Sequence, residues 1–269
     1  MSSILPLALI TYKEGIRSRS VFGILLFSLF IFGLNIAVSG LFLREIGKVT
    51  VDVNLSALSF SGLLLVLFVG LNLMTKDIDR KTVQLVLSKP ISRPCYILGK
   101  YLGLLMFILV SLSVLLGLSC VTIVLLSGLY PDYFGNFSWS IYLVAAAFIF
   151  IKLAVLAAAL VLFSALSTSS FIALIFTVST YLAGQAIEEV VLYLESSFRT
   201  AEVAPALQTF ITTVSYLLPN LAVFDFGREA AHGIAIAPTT VFSSLGYAVS
   251  YAGVLLLLAA IAFSRREFN

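Results

Sequence analysis

The sequence has 269 residues, of which 61% are hydrophobic and only 11% charged, and its mean hydropathy is strongly positive. Soluble domains carry roughly 25% charged residues, so this composition excludes an ordinary soluble protein and predicts a polytopic membrane protein. The formal net charge of +3 is small. The basic residues flank apolar runs, where they set membrane orientation and do not form a nucleic-acid surface.

The first segment, residues 3–20, is predicted to be an amphipathic helix. Apolar residues recur at helical spacing on one face, namely Leu5, Ala8, Leu9, Tyr12 and Ile16. Most of the charged residues fall on the other face, a pattern typical of a helix that lies in the membrane interface. A charged leader without such a role is the alternative.

Six apolar runs reach the roughly 20 residues that a helix needs to cross a bilayer core. They cover residues 21–43, 55–75, 101–129, 141–166, 171–192 and 241–263. The fold class is therefore predicted to be all-α, with six transmembrane helices in one permease-like domain that covers residues 1–269. An even number of spans also places both termini on the same side of the membrane.

Lys and Arg are distributed unequally between the two sides. With the N-terminus inside, eleven of them flank the spans on the inner side and four lie outside, whereas most acidic residues fall in the outer segments. Inner flanks are the ones enriched in Lys and Arg. We therefore expect a multi-pass protein of the inner (cytoplasmic) membrane with both termini in the cytosol.

On this topology the charged segment 76–100 is a cytosolic loop. Apolar residues in its first half are spaced as in a short helix until Pro90 and Pro94 break the pattern. A short amphipathic helix on a cytosolic loop favours a docking surface. A solvated basic loop that only fixes the topology is the alternative.

Three motifs of this loop resemble the coupling-helix region of type-2 ABC exporter permeases: Asp77-Ile78-Asp79-Arg80-Lys81-Thr82, Leu87-Ser88-Lys89-Pro90-Ile91-Ser92-Arg93 and Leu98-Gly99-Lys100-Tyr101-Leu102-Gly103. They are most similar to the branch associated with maturation of multicopper enzymes such as nitrous oxide reductase. That branch more usually has Glu-x-Glu where Asp77 and Asp79 stand here. The resemblance implies a permease half that pairs with a second copy of itself or a close relative, and that docks one cytosolic ATPase subunit under each half.

The resemblance also implies which residues of the loop dock the ATPase. The implied set is Asp77, Asp79, Arg80, Thr82, Leu85, Leu87 and Arg93. The two aspartates and Arg80 would supply polar contacts to the ATPase groove, and the two leucines would supply apolar contacts. ATP-driven closure of the ATPase dimer would push on this loop, and through it on spans two and three.

No catalytic motif stands out in the sequence. It contains no Gly-x-x-x-x-Gly-Lys-Ser/Thr phosphate loop and no His-Glu-x-x-His zinc motif. We therefore expect no enzyme activity, no cofactor and no metal site in this chain, with ATP and Mg bound by the partner ATPase. One histidine and three methionines also make a relay of soft ligands for copper improbable in this chain.

Lys152 is the one charged residue near the middle of a span. Inserting a lysine at that depth costs at least ~2.5–3.5 kcal/mol, so such residues usually face a cavity or a partner. No acidic residue is expected at its depth in any span. A role in the bundle or cavity and a lysine that snorkels to the interface are both compatible with the sequence.

Spans two and five flank the central cavity in the family that the motifs resemble. The candidate lining residues are Asn72, Lys152, Thr177, Thr180 and Gln185. Any one of the polar residues would equally suit an interhelical hydrogen bond. Small residues four apart, Gly99 with Gly103 and Ser113 with Gly117, predict close helix approach within the chain.

The longest connection, residues 193–240, lies on the outer side. The resemblance suggests short outer helices that dip into the leaflet before the last span, and a folded surface loop is the alternative. A membrane subunit that transmits force or a signal to a periplasmic accessory protein is an alternative function. An ion-coupled secondary carrier fits less well, because the spans hold no midplane acid and no Gly-Pro interruption.

Overall fold

The computed structural model describes residues 4–39, 45–74, 92–167, 169–195, 213–215 and 218–265. Throughout these ranges the regular elements are helical and none is a strand. The α-helices are α1 Ile4–Ile16, α2 Arg19–Ser39, α3 Ile46–Leu64, α4 Arg93–Leu129, α5 Trp139–Leu166, α6 Ser170–Glu195, α7 Gly227–His232 and α8 Pro238–Arg265. Short 3-10 turns cover Pro131–Tyr133 and Ala222–Phe224.

Six of these helices, α2, α3, α4, α5, α6 and α8, are long and apolar enough to cross a membrane. The predicted all-α class and number of spans are therefore confirmed. Helix α3 continues through a π-helical turn, Leu65–Gly70, and is described as far as Met74. It begins at Ile46 rather than at residue 55, because its first turns contain polar residues that a helix accommodates but a hydropathy window rejects.

The predicted break at Pro94 is instead a helix start. Helix α4 begins at Arg93, and Pro94 occupies its first turn. A proline is accepted there because the N–H groups of the first turn have no partner within the helix. The helix therefore extends into the segment that the sequence assigned to the cytosolic loop.

The two ends of the bundle are distinguished by what packs there. At the end that we call the terminal end, Arg93 at the start of α4 contacts Ser264 in the last turn of α8. At the opposite end, the loop end, Gly47 in the first turn of α3 packs against the backbone of Tyr133. The connection between α4 and α5 and the segment 218–237 lie at the loop end.

Helices α3 and α5 form the centre of the bundle. The apolar parts of both are largely buried, whereas those of α2, α6 and α8 are mostly exposed. Helix α5 packs against α3, α4, α6 and α8. Its Ala157 and Ala158 are fully buried, since small side chains allow several helices to approach one another closely.

Helix α1 packs across the start of α4 at the terminal end. A Cβ at Gly103 would lie 2.5 Å from the carbonyl oxygen of Ala8, and one at Gly99 would lie 2.7 Å from Cδ2 of Leu7. The predicted close approach at this glycine pair is therefore confirmed, and it lies within the chain. Ser113 is exposed and Gly117 has no neighbour within 4 Å, so the second small pair makes no such contact.

The face of α1 that packs on the protein coincides only in part with the predicted apolar face, since Ala8 and Tyr12 belong to both. Its buried residues are Leu7, Ala8, Thr11 and Gly15. Leu5, Leu9 and Ile16 of the predicted stripe are exposed. Periodicity identified the helix and an apolar face that is available to lipid. The small residues on the neighbouring face determine how closely α1 packs against α4.

Candidate functional site

The proposed coupling segment lies mostly outside the described residues. This holds for Asp77, Asp79, Arg80, Thr82, Leu85 and Leu87. The structure does describe the two flanks of the segment, namely α3 as far as Met74 and α4 from Arg93 onward. The contacts of these two flanks determine which helices would respond to a force on the segment.

Lys100 fastens α3 to α4. Its side chain is buried, and Nζ donates to the carbonyl oxygen of Leu73 over 3.2 Å. The sequence assigned Lys100 to the cytosolic loop, but it lies within α4, where its ammonium group binds a backbone carbonyl of α3.

Arg93 fastens the start of α4 to the end of α8. Its guanidinium Nη1 donates to the carbonyl oxygens of Phe263 over 3.3 Å and Ser264 over 2.6 Å. One turn further on, the ring of Tyr96 stacks on that of Phe263 with centroids 5.3 Å apart. Arg93 was predicted to dock the ATPase, and that role stays a prediction beside this structural contact.

Lys152 has a carboxylate partner that the sequence reasoning missed. Its Nζ lies 3.7 Å from Oδ2 of Asp225, and its side chain is 2% exposed. The expectation concerned acids of the spans, whereas Asp225 belongs to the segment before the last span. A snorkelling lysine is also excluded, because the side chain is enclosed by protein. The clue in the sequence was Asp225 itself, a single acid between Phe224 and Phe226.

The segment that carries Asp225 descends between α5 and α6. The backbone N–H of Leu221 donates to the carbonyl oxygen of Gly184, midway along α6, over 2.9 Å. Phe226 packs edge-on against Phe148 of α5 with ring centroids 4.7 Å apart. The backbone N–H of Asn220 donates to the hydroxyl of Tyr247 over 2.9 Å. These groups of the irregular backbone are thus satisfied by protein groups.

Asp225 also organises the turn into α7. Its Oδ1 accepts a hydrogen bond from the backbone N–H of Gly227 over 3.2 Å, while Oδ2 faces Lys152. Helix α7 then ends at Gly233, whose φ of 66° is the left-handed conformation that favours glycine at a helix C-terminus. The short helices expected before the last span are represented by Ala222–Phe224 and α7.

The chain thus combines six helices able to cross a membrane, a charged segment between the second and third of them, and short helices before the last. The family model described as ABC-2 family transporter protein matches residues 5–268. The chain belongs to this family. It is the membrane permease subunit of an ABC-2 type transporter, which implies a partner ATPase subunit. Members of the family are usually not catalytic themselves. No curated protein was matched by this chain.

The candidate lining residues of this ABC-2 permease do not meet in one chain. Asn72 is exposed near the end of α3 and faces a cavity at the terminal end. Thr177 and Thr180 are buried and donate to carbonyl oxygens of their own helix over 2.7 and 2.8 Å. Gln185 donates to the hydroxyl of Tyr181 over 3.4 Å. Their role in a transport cavity stays a prediction.

A chain of polar side chains joins four helices of this ABC-2 permease. Asn35 of α2 donates to Oδ1 of Asn54 in α3 over 2.8 Å, and Asn54 donates to the carbonyl oxygen of Ser119 in α4 over 3.3 Å. The hydroxyl of Ser119 is hydrogen-bonded to that of Tyr142 in α5. The sequence analysis missed this network. The signals in the sequence were Asn35, a polar residue within the first apolar run, and Asn54, which lies next to the second run.

Proposed function

We propose that this ABC-2 permease is one half of a dimeric exporter in the cytoplasmic membrane, with the terminal end of the bundle in the cytosol. The distribution of charge supports this orientation, since eleven Lys and Arg flank the spans on that side and four lie on the other. The second half is another copy of this chain or a close relative. ATP and Mg bind to the partner ATPase, one subunit of which docks under each half.

The ATPase docks on residues 76–93 in this proposal, through the polar side chains of Asp77, Asp79 and Arg80. The observation that carries it is the fastening of both flanks of this segment. Lys100 binds a backbone carbonyl of α3, and Arg93 holds the last turn of α8. A displacement of the segment would therefore move α3, α4 and α8 together. Such shared motion is what alternating access requires of a coupling segment.

The segment 218–226 closes the path at the loop end in the outward-closed state. It is held by the bond from Leu221 to Gly184 in α6 and by the ion pair from Asp225 to Lys152 in α5. Opening of this end would move α5 and α6 relative to each other. The ion pair joins the segment to the central helix α5. On opening, either the distance between Lys152 and Asp225 would increase or the segment would move together with α5.

The motifs of the coupling segment further favour the branch associated with multicopper enzyme maturation. Copper itself is a poor candidate for the cargo, because one histidine and three methionines offer few soft ligands. A cargo assembled for a periplasmic enzyme, or a periplasmic accessory protein bound at the loop end, suits this proposal better. The neighbouring genes would test which of these applies.

The decisive experiment is copurification from native membranes. We expect a soluble ATPase to accompany the tagged chain in mild detergent and the double variant Asp77→Ala/Asp79→Ala to lose it. Asp132→Ala, which removes an exposed carboxylate at the loop end, is the matched control and should retain the ATPase. An intact, abundant permease that carries no ATPase would refute the docking proposal and favour an ion-coupled carrier.

Transport itself needs a second measurement. Proteoliposomes with the copurified ATPase should show ATP-dependent movement of cargo across the bilayer. Normal ATPase stimulation by the permease without any flux would instead indicate a membrane subunit that signals to a periplasmic partner. Arg80→Ala should weaken the stimulation if Arg80 contacts the ATPase groove.

A further inference from the structure

A cavity of about 700 Å³ opens at the terminal end, between α1, the start of α2 and the end of α3. Among the residues that the structure describes, three cationic side chains line it, Lys13, Arg17 and Arg19, and Glu14 is the one carboxylate. The described part of the lining therefore carries a net positive charge. Ser18 and Asn72 add polar groups to it. The candidate transport path through Lys152 lies elsewhere in the bundle.

The three cations have no carboxylate partner within the part of the chain that the structure describes. Ion pairs there join Lys48 to Glu45 and Lys152 to Asp225. Lys13, Arg17 and Arg19 are exposed. Three like charges around one cavity repel one another, and an anion between them would relieve that repulsion. Arginine is suited to phosphate because its planar guanidinium binds two oxygens at once.

The other wall of the cavity is apolar. Val69 and Leu73 of α3 and Ile10 of α1 contribute to it. An apolar track continues from Arg19 along α2, because Phe22, Leu26 and Phe30 follow at spacings that keep one helical face. Their exposed fractions are 72%, 72% and 61%. A cationic pocket joined to an exposed apolar stripe suits a molecule with an anionic head and acyl chains.

We propose that this cavity binds the phosphate headgroup of an acidic phospholipid, with the acyl chains along Phe22, Leu26 and Phe30. Basic pockets between transmembrane helices at the cytoplasmic side are a recurrent form of acidic-lipid site. The lipid would fill the space between α1 and α2 and fix α1 on the bundle.

Native mass spectrometry of the full-length permease tests this proposal. The protein is released from nanodiscs that contain equal amounts of phosphatidylglycerol and phosphatidylcholine, and the lipids that stay bound are counted. We expect the wild type to retain phosphatidylglycerol preferentially. Since each basic residue near an anionic headgroup contributes roughly fivefold in affinity, Arg17→Gln/Arg19→Gln should reduce that preference by about tenfold or more. Arg228→Gln/Arg265→Gln, which removes two exposed cations elsewhere, should leave it unchanged.

Further arms identify the occupant. Leu26→Asn should weaken retention of phosphatidylglycerol if acyl chains follow α2, and glycerol phosphate alone should not raise the melting temperature. Equal stabilisation by glycerol phosphate would overturn the lipid proposal in favour of a soluble phosphate. If Arg17→Gln/Arg19→Gln keeps the lipid preference but loses the copurified ATPase, the lipid proposal is overturned. The two arginines would then contact the ATPase. A wild type without headgroup preference refutes it whatever the variants do.

Discussion

Lys152 and Asp225 form an ion pair whose two partners differ sharply in burial. Nζ and Oδ2 lie 3.7 Å apart, the lysine side chain is 2% exposed and the aspartate side chain is 55% exposed. The lysine comes from the middle of the central helix α5, whereas the aspartate comes from the irregular segment before α7. The pair therefore supplies a buried charge with its counter-charge, and it joins the loop end to the centre of the bundle.

This asymmetry predicts unequal effects of neutralising either partner. Asp225→Asn leaves a buried ammonium group without its counter-charge, and removing one partner of a buried pair costs about 3–5 kcal/mol. Because Asp225 is half exposed, water near the pair would offset part of this cost. We therefore expect Asp225→Asn to lower the free energy of unfolding by about 2–3 kcal/mol. Lys152→Met leaves an exposed carboxylate that water can solvate, so it should cost under about 1 kcal/mol.

Thermal unfolding in detergent measures both variants. Asparagine still accepts the hydrogen bond from the backbone of Gly227, so Asp225→Asn isolates the effect of charge. The double variant Lys152→Met/Asp225→Asn should be more stable than Asp225→Asn alone, and Asp132→Asn at the exposed loop serves as control. Equal destabilisation by the two single variants would contradict the assigned asymmetry.

Docking of α1 depends on the absence of a side chain at Gly103. A Cβ there would lie 2.5 Å from the backbone oxygen of Ala8, which cannot rotate away. Gly103→Ala should therefore push α1 off α4 and raise the accessibility of a cysteine introduced at the buried position Ala8. Gly117→Ala lies on the same helix with no neighbour within 4 Å. The control variant Gly117→Ala should leave the labelling rate of the cysteine at position 8 unchanged. An increase in this rate as large as that caused by Gly103→Ala would mean that any change in α4 loosens α1.

Asn54 connects three helices through two side-chain hydrogen bonds. Asn54→Leu removes the bonds to Asn35 and to the carbonyl oxygen of Ser119. Interhelical hydrogen bonds in membranes contribute on average about 0.6 kcal/mol each, so we expect a loss of about 1 kcal/mol in stability. A double-mutant cycle with Asn35→Leu should show a coupling energy. Strict additivity of the two losses would argue that the bond contributes nothing, and Ser113→Leu on an exposed face is the control.

Variants of Arg93 separate two possible roles of this residue, which are to hold α4 against α8 and to contact the partner ATPase. Arg93→Ala removes the bonds to the last carbonyls of α8 and should lower stability by about 1 kcal/mol, because the charge also complements the helix dipole. Arg93→Lys should restore part of it. The melting temperature and the amount of copurified ATPase are measured on the same preparations. Loss of ATPase with an unchanged melting temperature would show that Arg93 acts in docking alone.

Hydropathy and periodicity were sufficient for the six spans and for α1, since both depend on local patterns of apolar residues. The same patterns misplaced helix starts, as at Ile46 and Arg93, because polar first turns lie outside the apolar window. They also assigned Lys100 to a loop. A basic residue looks the same in sequence whether water or the carbonyl of Leu73 solvates its charge.

The sequence by itself determined the class of protein and the number of spans, because burial in a bilayer constrains composition one segment at a time. It placed the charge of Lys152 within a span but left a role in the bundle and a snorkelling lysine both open. Only the tertiary structure decided that Lys152 pairs with Asp225. Asp225 lies more than seventy residues further along the chain, and its approach depends on how the segment 218–226 fits between α5 and α6. The same applies to the cations around the cavity at α1 and to the network through Asn54. Such contacts arise from the relative placement of helices, which no local pattern encodes.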